Sequence, residues 1–364
     1  MTRRESGQQY NRRELLQRTG YAMALTSALG GLAGCAGGAG GGSGSGSGSD
    51  GDSLETLRMA YSAPAAADDV STWYGPRDIA PDEYSLETEI QVFEGIDLAI
   101  QSVLAGQADM ARGSTTAAST IIETGKPFKM ICSTAFNTDY VLVTSPEIES
   151  LQDIVDKDAV MGMSAPTGLD VVQTAAVMFN EGIIDSVDEL NLQRVGFSSA
   201  RQTALINGEI DVSPQHFDQW LAMKEEAPDL NMLLRFGDEL DQWVQEVFMA
   251  PQDTIDNMPD ELAALIKGLL VGHRNIYDQG FDLYLDLVRK YVPGGGPSEE
   301  ALRTNFDYMT EINIWPPNGD LERSSVDAML DIADKVGLTE SRVATDDAMD
   351  RSILDRALED IGTV

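Results

Sequence analysis

Two well-separated segments carry the same residue pattern, and this repeat constrains the fold more than any other feature of the sequence. Val103–Met110 and Leu205–Val212 both read apolar, apolar, small, Gly, polar, apolar, Asp, apolar. A glycine after apolar helical residues is typical of a helix C-terminus, and the residues that follow begin a strand. One alternative is that all helix–glycine–strand junctions look alike. We favour one such junction in each of two similar α/β lobes.

Short strands alternate with helices on both sides of this repeat, which indicates βαβ units and a largely parallel sheet in each half. The first half has predicted strands at 57–61, 85–93, 108–111, 128–132 and 140–143 and a helix at 96–105. The second half has predicted strands at 159–163, 192–195 and 209–212, and helices ending near Asn180 and Asn207. From Phe248 onward helices dominate, at 260–270, 276–291, 298–310, 329–336 and 351–361. These late helices must pack back onto the lobes.

The chain is strongly acidic, with 60 Asp and Glu against 25 Lys and Arg and a formal net charge of -35. Such a surface repels nucleic acid, so nucleic-acid binding is disfavoured. The periodic apolar segments argue against a disordered acidic chain. The composition resembles that of proteins from high-salt organisms, where dissolved ions screen self-repulsion. Acidic pairs such as Asp68–Asp69 and Glu225–Glu226 are therefore interpreted as solvated surface.

The N-terminal residues resemble an export signal. Asn11–Gln17 contains two arginines followed by apolar residues, as in twin-arginine signal peptides. The apolar stretch Tyr21–Ala33 is shorter than the ~20 residues that cross a membrane, but it suits a signal-peptide core. An uncleaved helix followed by a low-complexity linker is the alternative.

A lipid attachment signal follows directly. Leu32–Cys35 resembles a lipobox, which makes Cys35 the candidate for lipidation, and the Gly/Ser run after it behaves as a flexible tether. We therefore predict a signal peptide with lipobox at 1–35 and a linker at 36–53. The protein is then expected at the extracellular face of the cell membrane, held by its lipid anchor.

Four segments together resemble the periplasmic-type binding proteins for nitrate, sulfonate, taurine and pyrimidine thiamine precursors. They are Leu104–Asp109, Gly125–Lys129, Ile148–Ile154 and Asn207–Asp211. The resemblance implies the α/β two-lobed type II fold, a ligand in the cleft between the lobes, and delivery to ABC permease and ATPase subunits. It also implies a monomer without a cofactor.

The same resemblance implies the domain boundaries. Lobe one would comprise 54–143 and, after the second crossing, the mostly helical segment 249–364, whose helices pack on that lobe. Lobe two would comprise 144–248. The crossings are expected near Val143–Thr144 and Phe248–Met249.

In open α/β sheets ligands bind at the carboxyl ends of the strands, so the loops after strands supply the candidate binding residues. After the first strand come Ser62, Trp73 and Tyr74. Aromatic rings there cover an apolar or planar ligand, or simply pack in a surface loop.

After the third strand come Arg112, Gly113, Ser114 and Thr115. Backbone N–H groups and hydroxyls at a helix start bind an anion or a carbonyl, although a plain N-cap fits equally well. Arg112 is a candidate partner for an anionic ligand group, with a surface ion pair as the alternative.

In lobe two the equivalent positions are Ser164, Thr167 and Gly168, where a helix start points at the ligand. Gln215 and His216 follow another strand. His216 either contacts the ligand or changes charge with pH, or it is a satisfied structural histidine. Asn137 is a weaker candidate, together with Asp139.

Enzyme signals are absent from the sequence. His216 and His273 are the two histidines, and Cys132 is the cysteine that remains after Cys35, so neither a catalytic nor a metal-binding constellation has usable spacing. We interpret His273 as structural and Cys132 as a core residue. An enzyme on the same fold, of the pyrimidine-precursor or menaquinone-pathway type, is the alternative function, although the cysteine-rich motif of the pyrimidine synthases is missing. A sensor subunit is a third.

Overall fold

The computed structural model describes residues 54–364 apart from Thr167 and Asp241. The predicted signal peptide, Cys35 and the Gly/Ser linker lie outside the described residues, and so does Thr167. Among the described helices, none has both the length and the apolar composition that a membrane crossing requires.

In the described part of the chain, ten strands alternate with helices through the two lobes. The strands are β1 (Leu57–Tyr61), β2 (Thr88–Val92), β3 (Met110–Ser114), β4 (Phe128–Phe136), β5 (Tyr140–Thr144), β6 (Val160–Met163), β7 (Asn191–Arg194), β8 (Val212–His216), β9 (Asn231–Arg235) and β10 (Val244–Pro251). The helices up to β10 are α1 (Ser71–Tyr74), α2 (Ala80–Tyr84), α3 (Ile96–Leu104), α4 (Thr115–Glu123), α5 (Leu151–Asp156), α6 (Leu169–Asn180), α7 (Ser198–Ile206), α8 (Phe217–Glu226) and α9 (Phe236–Glu239).

The chain after β10 is helical, as the sequence predicts. Its helices are α10 (Gln252–Asn257), α11 (Pro259–Gln279), α12 (Phe281–Tyr291), α13 (Glu299–Glu311), α14 (Arg323–Lys335), α15 (Thr345–Ala348) and α16 (Ser352–Ile361). One difference is that α11 continues through the predicted break at 271–275 and ends at Gly280, where φ is 73°. Gly272, His273 and Ile276 are buried against neighbouring elements, so packing of this face favours a continuous helix.

The two sheets share one plan. Sheet one has the order β2-β1-β3-β10-β4, in which β1 runs parallel to β2 and β3 while β10 is antiparallel to both neighbours. Sheet two has the order β7-β6-β8-β5-β9, in which β6 runs parallel to β7 and β8 while β5 is antiparallel to both neighbours. The repeated pattern in the sequence therefore corresponds to two similar α/β lobes.

The chain passes between the sheets twice, through residues 137–139 and 236–243. These crossings lie a few residues before the positions expected near Val143 and Phe248, because β5 belongs wholly to sheet two and β10 wholly to sheet one. A short apolar strand has the same pattern in either sheet, so the sequence could not assign it. The crossings touch each other, since the Asn137 N–H donates to the Trp243 carbonyl at 2.7 Å.

Strands β3 and β8 begin and end later than predicted. Gly106 and Gly208 adopt the left-handed conformation, with φ of 72° and 68°, and so end the preceding helices as expected. The strands, however, continue to Ser114 and His216. Their last residues are polar yet buried, which hydrophobic periodicity does not reveal. Arg112 and His216 consequently lie on strands rather than in loops.

The C-terminal helices pack mainly on lobe one. Helix α11 lies against α1, α2 and α16, and α15 and α16 contact β4. Gly75 lies in close contact with α11, because a Cβ atom added to this glycine would lie 2.7 Å from Leu269 Cα. Helix α13 also reaches lobe two, because the ring of Tyr308 lies 4.7 Å from that of Phe217.

Two residues interpreted as structural are indeed in the core. Cys132 on β4 is fully buried, and burial raises the pKa of its thiol. His273 on α11 is also fully buried, with Nδ1 2.8 Å from the Pro316 carbonyl oxygen. Burial lowers the pKa of His273 to about 4, so this histidine is neutral at physiological pH.

Candidate functional site

The strand ends on one side of each sheet contribute to a single buried group of charged residues. Strands β1, β3 and β8 end at this place. Both crossings lie there too, because Glu246 near the start of β10 pairs with Ser114 at the end of β3, and Tyr140 at the start of β5 pairs with His216 at the end of β8. We call the charged residues that meet there the cleft cluster. Its members are Asp68, Asp69, Arg112 and Glu246 from lobe one, Asp139 from the first crossing, and His216 and Asp218 from lobe two.

Arg112 lies in the lobe-one half of the cleft cluster, with its side chain 2% exposed. Its Nη1 lies 2.7 Å from Asp69 Oδ2, and its Nη2 pairs with Glu246 Oε2. The guanidinium carbon lies 5.7 Å from the ring centre of Tyr61. The ion pair that was the alternative for Arg112 is therefore present, but it is buried and involves two carboxylates rather than lying on the surface.

Asp68 and Asp69 are buried, which corrects their interpretation as solvated surface. They are only 4% and 5% exposed. Asp69 Oδ1 accepts the Ala66 N–H at 2.8 Å, and the Asp68 carbonyl accepts the Trp315 Nε1–H at 2.6 Å. From sequence alone, an Asp–Asp pair in a polar stretch is interpreted as exposed, because the residues that contact it, above all Trp315, are distant in the chain.

His216 and two aspartates form the centre of the cleft cluster. His216 Nδ1 lies 3.1 Å from Asp139 Oδ2 and 3.4 Å from Asp68 Oδ1. The ring of Tyr140 lies against the imidazole with 4.2 Å between ring centres. His216 and Asp139 were both candidates from sequence, whereas Asp68 was not.

Burial controls the protonation of the cluster. Loss of hydration raises the pKa of Asp68 well above its usual range and raises the pKa of Asp218 to about 6. The positive charge of His216 opposes both shifts. Loss of hydration disfavours the imidazolium form of His216, but the negative charges of Asp68 and Asp139 have a larger opposite effect. They raise the pKa of His216 to about 10. The cluster therefore has more acidic groups than buried cations to neutralise them.

Apart from Glu246 Oε2, which forms an ion pair with Arg112, two buried oxygen atoms at this place have no hydrogen-bond donor among the described residues. They are Asp68 Oδ1 and Gln245 Oε1. Gln245 is 1% exposed, and its Nε2 lies 3.5 Å from Asp68 Oδ2, so the two side chains are neighbours. Buried acceptors are nearly always paired, which points to a donor or a cation supplied from outside the chain.

The remaining lobe-one candidates surround the cluster or support it. Trp73 is buried on α1 with its ring 5.1 Å from that of Tyr61, so it packs on a cluster neighbour. The Ser62 carbonyl accepts the Gly95 N–H, and Tyr74 is half-buried. Ser114 Oγ caps α4 by accepting the Ala117 N–H. Thr115 Oγ1 donates to the Val244 carbonyl. Gly113 leaves room for Ile96, whose side chain a Cβ would strike. The N-cap alternative thus holds for Ser114.

The remaining lobe-two candidates also make contacts within the protein. Ser164 Oγ donates to Asp170 Oδ1 at 2.7 Å, and a Cβ at Gly168 would meet that same carboxylate. Gln215 is buried beside Ser213. Asn137 has φ of 60° and donates from its side chain to the Ile312 carbonyl. None of these contacts requires a ligand.

The profile of the family described as NMT1/THI5 like matches residues 83–279, more than half of the chain. The chain belongs to this family. The matched region includes both crossings and all cleft-cluster residues except Asp68 and Asp69. No curated protein matches the chain in a sequence search.

Solved structures of binding proteins share the fold of this family member at low sequence identity. The ligand-binding component of an ABC-type import system from Staphylococcus aureus, solved with zinc bound, is 12% identical with a TM-score of 0.68, covering 84% of this chain and 99% of that chain. The nitrate-binding protein NrtA from Synechocystis PCC 6803 is 12% identical with a TM-score of 0.67, covering 85% and 89%. The aliphatic sulphonate-binding protein SsuA from Escherichia coli is 12% identical with a TM-score of 0.63, covering 83% and 100%. The predicted type II periplasmic-binding-protein fold is thereby confirmed.

Proposed function

We propose that this chain is the solute-binding component of an ABC import system and holds a small molecule between its lobes. The observation that carries the proposal is the cleft cluster, in which buried polar groups from both lobes converge at the carboxyl ends of the strands. In open α/β sheets this is where ligands bind. The family and the binding proteins with the same fold support the same function.

The two crossings give the proposed hinge. Residues 137–139 and 236–243 join the lobes, and the cleft cluster lies beside them. A solute that contacts both halves of the cluster binds the closed arrangement better than the open one, so binding shifts the population toward closure. A monomer that closes in this way can present its cargo to permease and ATPase subunits.

The charge of the cluster bears on the solute class. Sequence resemblance suggests a sulfonate, a nitrate-like anion or a pyrimidine. Among the cluster residues, five carboxyl groups face one guanidinium and one imidazole, and Arg112 already has two carboxylate partners. A bare anion would be repelled there, whereas a pyrimidine-type solute brings N–H donors for Asp68 Oδ1 and Gln245 Oε1. We therefore favour the pyrimidine type.

A thermal-shift screen of chelator-treated protein in high salt tests this function. A ligand that binds only the folded state stabilises it by about 2.7 kcal/mol at a hundredfold excess over its dissociation constant. We expect pyrimidines with exocyclic amino groups to raise the melting temperature, and nitrate and sulfonates to leave it unchanged. Chromatography should then recover the solute unaltered. A chemically changed solute would favour the enzyme alternative, and a panel without any shift would contradict solute binding of these classes.

We also propose that Cys35 carries a lipid that holds the exported protein at the outer face of the membrane. The order of twin arginines, apolar stretch, lipobox and Gly/Ser tether supports this. Because the thiol is the attachment point, Cys35→Ser should move the protein from the membrane fraction into the medium, as measured by immunoblotting. Cys132→Ser, which alters a buried core thiol, is the matched control. Retention of Cys35→Ser on membranes would contradict anchoring at this residue.

A further inference from the structure

The centre of the cleft cluster has the composition and spacing of a metal site. We propose that Asp68, Asp139 and His216 bind a divalent metal ion of the zinc type. One atom from each of the three side chains lies within 4.8 Å of the other two. The chain positions of these residues give no spacing motif, so the fold alone brings them together.

The distances fit ligands arranged around one ion. Two ligands at about 2.0–2.1 Å from a tetrahedral Zn²⁺ lie roughly 3.3 Å apart. His216 Nδ1 lies 3.1 and 3.3 Å from the two Asp139 oxygens and 3.4 Å from Asp68 Oδ1. The ligand atoms of Asp68 and Asp139 lie within 4.8 Å of each other, so all three side chains surround one position.

An independent observation also points to an occupant. Asp68 is 4% exposed, and its Oδ1 faces His216 without a hydrogen bond from any described residue. A metal ion would satisfy this oxygen. An imidazole ligand favours zinc or a similar transition metal over Mg²⁺ and Ca²⁺, which prefer oxygen ligands.

The ion would join the two lobes. Asp68 belongs to lobe one, His216 to lobe two, and Asp139 to the first crossing. Three protein ligands leave one position of a tetrahedral ion open, as in sites that bind a further ligand. A dication would also offset the surplus of carboxylates in the cleft cluster. Metal binding itself does not depend on the proposed transport function.

One alternative uses the same residues without a metal. A protonated imidazole beside Asp68 and Asp139 would also neutralise part of their charge. Nδ1 carries only one proton, however, and three carboxylate oxygens surround it. The two arrangements exclude each other, because a metal ion must displace the Nδ1 proton. A metal titration distinguishes them.

The test is calorimetric titration of the full chain with Zn²⁺ alone. The protein should carry no polyhistidine tag, should be treated with a chelator, and should carry Cys35→Ser, because a free thiol binds zinc. High KCl suppresses nonspecific binding to the acidic surface. We expect one Zn²⁺ per chain, not displaced by excess Mg²⁺. Co²⁺ in place of Zn²⁺ should give the visible absorption of a low-coordinate site.

Variants locate the site. Asp139→Asn and His216→Gln should each weaken Zn²⁺ binding by about tenfold or more, and circular dichroism should show that they remain folded. The double variant Glu225→Gln, Glu226→Gln removes two exposed carboxylates of α8 and should bind Zn²⁺ like the unaltered protein. Absence of a one-to-one complex, or equal affinity in all variants, would overturn the proposal. Solute binding by metal-free protein would leave the proposed function intact even then.

Discussion

Arg112→Met is expected to lower the free energy of unfolding by about 3–5 kcal/mol, because removing one partner of a buried ion pair leaves the other charge uncompensated. The guanidinium is 2% exposed and contacts Asp69 and Glu246, so two carboxyl groups lose their cation at once. Met fills much of the same volume, which limits the effect of the cavity. Urea denaturation at a fixed high salt concentration measures the change.

Two comparisons make this prediction specific. Arg58 on β1 pairs with Asp109, which directly precedes β3, but the Arg58 side chain is 43% exposed, so Arg58→Met should cost only about 0–1 kcal/mol. Adding Glu246→Gln to Arg112→Met removes one of the uncompensated carboxylates and should restore part of the stability. If Arg112→Met and Arg58→Met have equal effects, the buried ion pairs do not stabilise lobe one as we argue.

The fold was largely predictable because its signals are local. The junctions at Gly106 and Gly208, the first strand Leu57–Tyr61 and the helices after β10 all follow from periodicity and from glycine chemistry within a few residues. Even the equivalence of the two lobes is visible in one repeated pattern. What the sequence could not supply was the sheet to which β5 and β10 belong, because strand pairing is a long-range property.

The candidate site was predictable only in part, for a related reason. Arg112, Asp139 and His216 were found because they follow or precede recognisable strands, and the cluster indeed lies at the strand ends. Asp68, Asp69 and Glu246 were missed because a buried carboxylate and a solvated one look identical in an acidic sequence. What distinguishes them is a partner far along the chain, such as Trp315 for the segment that carries Asp68.

Trp315 connects the C-terminal region with the cleft cluster, and Trp315→Ala should cost about 3–5 kcal/mol of stability. The side chain is fully buried, with the rings of Tyr277, Tyr284 and Phe306 at 5.7 to 6.1 Å between centres. Its Nε1–H donates to the Asp68 carbonyl at 2.6 Å. Truncation therefore removes both an aromatic core contact and the hydrogen bond that holds Asp68. Urea denaturation again measures the loss.

Trp315→Phe separates these two roles. Phe keeps an aromatic ring among the same neighbours but cannot donate a hydrogen bond, so the stability loss should fall to about 1–2 kcal/mol. Because the segment carrying Asp68 then loses the hydrogen bond from residue 315, the affinity of the cleft cluster for the proposed solute should decrease more than the small stability change suggests. Trp220→Phe, on α8 in lobe two, should leave that affinity unchanged. Equal ligand affinity in both variants would mean that the other contacts of residues 66–72 suffice to position Asp68, and that the C-terminal helices stabilise lobe one without shaping the site.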